Sequence, residues 1–243
     1  MNTKTQAIVL SKIKYSDASY IVNLFTEKLG KVAVFVRISN SKAKDKVKPA
    51  LFFPLNIVEI ELNLKTTRNI QTLKYCNFVE TINNICTDVY KASVAQFIAE
   101  VILKTLKDEQ TDMIFYDYLK SIILQLNKQT GLTQNMHLVF LKEYAKILGF
   151  QITNNHSELT PYFNLREGMF LPSYTTVEES LDIELSSVLS DLLTINLNSL
   201  GQFNVNYAIR KKLLASLILY YGLHIENLPE IKSLKVLNEV FTA

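Results

Sequence analysis

Apolar and polar residues alternate along the first 80 positions with the period of two that is typical of half-buried strands. Residues 31–38 give the clearest case, because every second position from 32 onward holds a β-branched apolar residue. A strand would place the residues between them, Lys31, Ala33, Phe35 and Arg37, on its other face. The pattern predicts five strands, at about residues 5–14, 19–26, 31–38, 55–64 and 70–79.

From about residue 87 the apolar positions recur at helical spacing. Asp88 is predicted to cap the first helix and Thr133 the third, because their side-chain oxygens can accept hydrogen bonds from amides at a helix start. Residues 150–177 lack a helical stripe and are predicted to form an irregular insertion or a short hairpin. We therefore predict an α+β chain, with a strand domain at residues 1–80 and an all-helical domain at residues 81–243.

Basic residues are concentrated in the strand region. Residues 1–80 contain 13 Lys and Arg against 6 Asp and Glu, a net charge of +7, whereas residues 81–243 contain 13 against 17, a net charge of −4. A basic module attracts polyanions, so this asymmetry indicates a nucleic-acid partner for the first region. Within it, one lysine series recurs at every second position: Lys42, Lys44, Lys46 and Lys48.

An extended lysine series would project its ammonium groups to one side and follow a phosphate backbone, although a solvated loop is the alternative. Phe35 either stacks on a base between its basic neighbours or packs beneath another element. Five short strands with a basic face fit a small OB-type barrel, and strand number alone fits an SH3-like barrel equally well. The predicted DNA-contacting residues are Lys12, Lys14, Lys31, Phe35, Arg37, Lys42, Lys44, Lys46, Lys48, Lys65 and Arg68.

The sequence contains no recognisable motif for catalysis. Gly30-Lys31 lacks the earlier glycine of a phosphate-binding loop, and no Gly-x-Ser-x-Gly or His-Glu-x-x-His pattern occurs. Paired acidic residues such as Glu59 and Glu61 are expected on solvated faces. We therefore expect a protein that is not an enzyme and that uses no cofactor, metal ion or small-molecule substrate.

The two cysteines, Cys76 and Cys86, are expected to be small buried apolar residues and not metal ligands or a disulfide pair. No apolar run approaches the roughly 18–20 residues that a membrane-spanning helix needs, and the polar start lacks the apolar core of a signal peptide. These features predict a cytoplasmic protein without a membrane partner.

Several short segments form a set that is typical of one protein family. Near the start they are Thr5-Gln6-Ala7-Ile8-Val9-Leu10, Tyr15-Ser16-Asp17-Ala18-Ser19-Tyr20-Ile21-Val22, Leu24-Phe25-Thr26 and Gly30-Lys31. Later ones are Leu148-Gly149 at a predicted helix end and Ile231-Lys232-Ser233-Leu234. Together they resemble the RecO family of bacterial recombination and repair mediators. The resemblance covers essentially the whole chain and implies an OB domain followed by a helical domain.

The resemblance also implies a function. RecO proteins bind single- and double-stranded DNA, anneal complementary strands and cooperate with RecR to load RecA onto strands coated by single-strand DNA-binding protein (SSB). It further implies a cytoplasmic location at the nucleoid. Two alternatives remain: a protein–protein adaptor whose barrel binds a peptide and whose charge only confers solubility, and a hydrolase that uses surface carboxylates.

Two features of the family do not carry over directly. Many relatives hold a four-cysteine zinc site after the third helix, but residues 150–177 contain no cysteine. We expect aromatic side chains to supply that packing instead: Phe150, Tyr162, Phe163, Phe170 and Tyr174. Relatives also accept the acidic, Phe-ended SSB tail in apolar pockets edged by basic residues. The candidate tail-binding residues here are Lys142, Lys146, Arg210, Lys211 and Lys212.

Overall fold

The computed structural model describes residues 2–37, 49–65, 67–80, 82–106, 111–128 and 133–242. The chain divides into two compact units, residues 1–128 and residues 129–243. The domain boundary predicted at residue 80 lies within the first unit, two residues after the last barrel strand ends. That two-domain division therefore stays a prediction.

Five strands of the first unit form a closed barrel in the order β1-β2-β3-β5-β4, in which β4 pairs back onto β1. All neighbouring strands are antiparallel except β3 and β5, which run parallel. This is the arrangement of an OB barrel, so the predicted barrel followed by a helical region is confirmed. The strands are β1 Asn2–Ser16, β2 Ser19–Thr26, β3 Gly30–Arg37, β4 Ile57–Asn63 and β5 Ile70–Phe78.

The interior of the barrel is filled by the apolar side chains that alternation predicts. Val22 and Leu24 of β2 and Val34 and Val36 of β3 are buried there. The register of β1 shifts between Val9 and Ser11, and again farther along the strand. Such irregularities bend a strand and increase its twist, which helps a sheet of five short strands to close.

The two cysteines have different environments. Cys76 of β5 is 8% exposed and packs in the barrel core, where burial raises the pKa of its thiol to about 12. Cys86 is exposed, so the prediction that both cysteines are buried is wrong for Cys86. It lies in a short helix next to the buried Ile85, which takes the core position in that turn.

The described residues of the first unit also form three α-helices: α1 Asn83–Thr87, α2 Val89–Thr105 and α3 Met113–Lys128. The predicted cap at Asp88 is confirmed, because its carboxylate accepts hydrogen bonds from the backbone amides of Tyr90 and Lys91. The apolar stripe of α3 is buried along the helix, from Phe115 to Leu126.

The second unit contains four helices and a short hairpin within its described residues: α4 Met136–Ile147, β6 Tyr162–Asn164, β7 Met169–Leu171, α5 Ile183–Thr194, α6 Tyr207–His224 and α7 Ser233–Thr242. The predicted cap at Thr133 is wrong. Residues Thr133–Asn135 form a short 3-10 turn, so α4 begins at Met136 after Asn135. Residues 136–142 are all buried, which makes α4 the central helix of this unit.

The hairpin within residues 150–177 is held by aromatic side chains. Phe163 and Phe170 are buried, with ring centroids 5.1 Å apart, and Tyr220 packs against Phe163 at 6.0 Å. Gly168 has a φ of 68°, which favours glycine at the turn. Among the described residues, no group of His, Cys, Asp and Glu is arranged to hold a metal ion. Likewise, no helix in the described part of the chain has the length and apolarity to cross a membrane.

Candidate nucleic-acid interface

One end of the outer barrel surface is covered by helices. Ile8 and Phe25 form a cross-strand pair whose side chains point away from the barrel interior, yet both are fully buried. The Phe25 ring contacts Phe115 and Tyr116 of α3, with centroids 5.1 and 5.9 Å away. We call this region the covered end of the barrel face. Because helices already occupy it, it is not available to a ligand.

Lys31 lies at the border of the covered end. Its ammonium donates hydrogen bonds to the carbonyl oxygens of Leu103, at 3.3 Å, and Leu106, at 2.7 Å. Leu103 lies in the last turn of α2 and Leu106 is its C-terminal cap, a position where carbonyl oxygens commonly take partners from outside the helix. The predicted DNA contact at Lys31 is therefore a residue whose charge already satisfies a helix end.

A groove of about 580 Å³ begins beside Lys31 and follows the parallel contact between β3 and β5. Lys65 and Arg68 line it together with apolar side chains, and none of its lining residues is acidic. We call it the β3–β5 groove. It brings together three residues that the sequence predicts as DNA contacts: Lys31, Lys65 and Arg68.

The loop that carries Lys65 and Arg68 is fixed by one buried side chain. The amide oxygen of Gln71 accepts a hydrogen bond from the Lys65 backbone amide at 2.9 Å. Its amide nitrogen donates to the carbonyl oxygens of Lys65 at 3.1 Å and Arg68 at 2.6 Å. Gln71 thus presents both cations from a closed loop, which lowers the entropy lost when a ligand binds them.

The other end of the same outer surface is open. Phe35 is half-buried there, with its ring edge-on to Tyr15 at a centroid distance of 5.7 Å and an interplanar angle of 84°. Arg37, two residues farther along β3 on the same face, is exposed. We call this region the open end. The predicted basic and aromatic face of β3 is therefore present from Phe35 to Arg37.

Lys12 and Lys14 lie on the opposite face of the β1–β2 hairpin. Lys12 pairs across the sheet with Val22, a core residue, and its ammonium lies 5.5 Å from the centre of the Tyr20 ring. Lys14 forms an exposed ion pair with Asp17 at 3.0 Å. These two predicted contacts are thus separated from the groove by the sheet. The lysine series Lys42, Lys44, Lys46 and Lys48 lies outside the described residues.

Two of the predicted tail-binding cations are interior residues of the second unit. Lys142 is 8% exposed, and its ammonium donates to the carbonyl oxygens of Leu193 and Ile195 at the end of α5. Arg210 is 7% exposed and donates to Asn135 at 2.9 Å, among other acceptors, and burial lowers the pKa of its guanidinium. Both charges hold elements of this unit together, so neither is an ordinary solvated helix cation.

The remaining three, Lys146, Lys211 and Lys212, are exposed. Lys211 lines a groove of about 570 Å³ in the second unit, which we call the α6–α7 groove. Its lining combines apolar side chains such as Ile218 and Leu234 with further charged residues: Lys232, Lys235, Glu230 and Glu239. An apolar groove edged by lysines suits a ligand with both apolar and acidic groups.

Sequence reasoning missed two contributors to the barrel face. Gln71 is the buried polar residue of β5, and nothing in the local pattern shows that it fixes a loop. Tyr15 is 67% exposed next to Phe35, and a signal for it does exist. Ile13 and Tyr15 alternate with Lys12 and Lys14, which indicates a second apolar face on the hairpin.

Comparison with known proteins covers nearly the whole chain. Residues 1–82 match the family model described as Recombination protein O N terminal, and residues 86–235 match Recombination protein O C terminal. DNA repair protein RecO of Azobacteroides pseudotrichonymphae is 32% identical over 98% of both chains. DNA repair protein RecO of Flavobacterium psychrophilum is 32% identical over 100% of both chains, and that of Bacteroides fragilis is 30% identical over 99% of this chain and 100% of its own.

Proposed function

The chain belongs to the RecO family of DNA repair proteins, and from this membership we propose that it is a recombination mediator that binds DNA and catalyses no reaction. In this proposal it binds single- and double-stranded DNA and anneals complementary strands. Together with RecR it helps to load RecA onto strands coated with SSB. It acts in the cytoplasm at the nucleoid.

The β3–β5 groove is the observation that carries the DNA-binding part of the proposal. Its charged lining residues, Lys31, Lys65 and Arg68, are all basic. Lys65 and Arg68 extend from a loop that Gln71 holds closed. A cationic groove without a competing carboxylate favours a polyphosphate ligand. The proposed contacts are therefore Lys65 and Arg68, followed along β3 by Phe35 and Arg37, with the lysine series as a further predicted contact.

Annealing follows from electrostatics in this proposal. Two complementary strands repel each other through their phosphates, and a cationic surface lowers that repulsion while it concentrates both strands. No covalent bond is made or broken, so neither a nucleophile nor a nucleotide is needed. In this proposal base pairing alone determines which strands anneal, since contacts to phosphates carry no sequence information.

The test of the groove is a double variant, Lys65→Ala with Arg68→Ala. We expect weaker binding to strands of any sequence, and a salt dependence of binding that is flatter by roughly two phosphate contacts. The matched control is Lys4→Ala with Lys74→Ala, because Lys4 is paired with Glu59 and Lys74 donates to Asn2. Equal affinity and equal salt slope in both double variants would exclude the groove.

The protein–protein adaptor is the alternative to this proposal. It predicts that the intact chain does not retard an unstructured single strand in a gel, even at low salt. The mediator proposal predicts that the chain retards the strand at low salt and retards it less at moderate salt. It also predicts faster annealing of complementary oligonucleotides. Repeating the annealing assay on SSB-coated strands tests whether the protein acts on the form of DNA that the proposal requires.

We further propose that the SSB tail binds in the α6–α7 groove. The support is chemical: Lys211 and Lys235 can meet acidic residues of the tail, while Ile218 and Leu234 can contact its terminal Phe ring. Lys142 and Arg210 play no part in this version, because their charged groups are engaged inside the unit.

Fluorescence anisotropy of a labelled tail peptide tests this assignment. Lys211→Ala with Lys235→Ala should weaken peptide binding roughly tenfold, because two charge contacts that together contribute about 1.4 kcal/mol are lost. The matched control removes two exposed cations outside the groove lining, Lys146→Ala with Lys212→Ala. A larger loss of peptide affinity in that control than in the groove variant would show that the tail binds outside the α6–α7 groove.

A further inference from the structure

The open end of the barrel carries an apolar cluster that no described element covers. Ile13 is 55% exposed and Tyr15 is 67% exposed, although both belong to a paired strand. Phe35 and Ile21, both half-buried, lie beneath them on the same outer face. Apolar side chains in such a cluster cost free energy in water, so an exposed cluster of this kind marks a surface that binds a ligand.

Strand pairing sets these side chains in one row across the sheet. Ile13 pairs with Ile21, and Ile21 pairs in turn with Phe35. Tyr15 is next to a register shift in β1, and its ring stands edge-on to Phe35. An edge-to-face pair is a favourable aromatic arrangement, so Phe35 holds the Tyr15 ring in place while most of the Tyr15 residue stays accessible.

The charges beside the cluster decide which ligand fits it. Arg37 follows Phe35 on one side along β3, and Ala33 on the other side lines the β3–β5 groove with Lys65 and Arg68. Successive same-face positions of a strand are roughly 6.6 Å apart, so Phe35 follows the groove residue Ala33 by about one nucleotide's length, and the Tyr15 ring lies beside Phe35. Aromatic rings next to cations are the combination that binds single-stranded nucleic acid, by stacking on bases and contacting phosphates.

We propose that Tyr15, supported edge-on by Phe35, stacks on an unpaired base of a strand whose phosphates lie in the β3–β5 groove. Ile13 extends the apolar contact to the same base or its neighbour. This inference rests on the proposed function and deepens it, because it gives the barrel a way to distinguish unpaired bases from a closed duplex. The cations bind phosphates of both forms, whereas the Tyr15 ring contributes only where a base is free to stack.

The experiment compares the intact chain and its Tyr15→Ala variant on three DNAs: an oligo-dT strand, an abasic strand of the same length, and a duplex. We expect Tyr15→Ala to weaken oligo-dT binding roughly five- to 150-fold, the range that loss of one base–aromatic stack produces. Binding to the abasic strand and to the duplex should stay within twofold of the parent. Tyr15→Phe should bind oligo-dT like the parent, since stacking needs the ring and not the hydroxyl.

The matched control is Tyr75→Ala, which removes another exposed tyrosine from β5, 41% exposed. It should leave all three affinities unchanged, and the thermal midpoints of both Ala variants should match the parent. Equal losses on oligo-dT and abasic strands, or none on either, would overturn the stacking role. If the parent chain itself bound neither strand, the proposed DNA-binding function would fail, a result distinct from failure of the Tyr15 site.

Discussion

Two sets of basic residues that look alike in the sequence have opposite environments in the structure. On the barrel, Lys65 and Arg68 line an accessible groove from a loop. In the second unit, Lys142 and Arg210 are buried, and they donate to carbonyl and amide oxygens of neighbouring elements. The difference shows that backbone and side-chain acceptors nearby, not the local sequence pattern, decide whether a cation stays accessible or stabilises the fold.

For the buried and half-buried lysines, the acceptors lie at helix ends. The last carbonyls of a helix lack intrahelical partners and carry partial negative charge. Lys31 satisfies the end of α2, Lys91 donates to Asn127 at the end of α3, and Lys142 satisfies the end of α5. Each lysine comes from an element other than the helix it caps. The different roles of groove-lining and buried cations can therefore be tested one residue at a time.

The largest effect is expected at Arg210. Its guanidinium donates to Asn135 at 2.9 Å, Gln134 at 3.0 Å and the carbonyl oxygen of Val205 at 2.9 Å. Arg210→Met should lower the free energy of unfolding by about 3–5 kcal/mol, because three charge-assisted hydrogen bonds are lost and their acceptors stay buried. Chemical denaturation measures this. The neighbouring exposed cation provides the control: Lys212→Met should change stability by no more than about 0.5 kcal/mol.

Acid should destabilise the second unit through His137, which packs in its interior. Burial, together with the charge of Arg210, lowers the pKa of His137 from 6.5 to about 3 in the folded state. Above pH 6.5 the ring is neutral in both states, so the full stability is present. As the pH falls below 6.5 only the unfolded chain gains the proton, and about 2–3 kcal/mol should be lost by pH 4.5.

Denaturation midpoints at pH 7, 5.5 and 4.5 check this expectation. The variant His137→Gln cannot titrate in that range, so its stability should fall less steeply than that of the parent. Parallel pH curves for the two chains would show that the proton uptake belongs to other groups.

A smaller effect is expected at Gln71, which holds the loop of the groove-lining cations. Gln71→Leu removes the three hydrogen bonds that close the loop of Lys65 and Arg68. We expect a stability loss of about 1 kcal/mol and a few-fold loss of DNA affinity, because a loosened loop loses more entropy on binding. In Gln71→Glu the carboxylate can still accept a hydrogen bond from the Lys65 amide, but it cannot donate to the carbonyl oxygens of Lys65 and Arg68. We therefore expect its DNA affinity to be no higher than that of Gln71→Leu.

The strands could be predicted closely from the sequence. The second strand was expected at residues 19–26 and spans Ser19–Thr26, and the fifth was expected at residues 70–79 and spans Ile70–Phe78. Alternation is a local property, so it is readable wherever one face is buried and the other is not. Closure of the barrel through parallel pairing of Ala33 with Ile70 is not local, and the pattern alone left OB and SH3-like barrels open.

Neither the covered end of the barrel face nor the β3–β5 groove could be located from the alternation of apolar and polar residues. Alternation places Phe25 outside the barrel core but does not show that α3 buries it. Lys31 was expected to face DNA because it shares a strand face with Phe35, and only the position of α2 reveals its carbonyl partners. The cap at Asp88 followed from sequence because its acceptor and donors are adjacent, whereas the 3-10 turn at Thr133 displaced the start of α4. Tertiary contacts therefore account for most of what the pattern missed.

The lysines at the helix ends have a consequence for chemical reactivity. An amine reacts with acylating reagents only when the reagent can reach it, and a lysine buried against helix carbonyls is shielded from the reagent. Lys91 and Lys142, at 4% and 8% exposure, should therefore be acylated slowly in the native protein, and half-buried Lys31 at an intermediate rate. Mass spectrometry of labelled peptides would then report the integrity of three separate helix termini, and faster labelling of one lysine would identify which terminus has frayed.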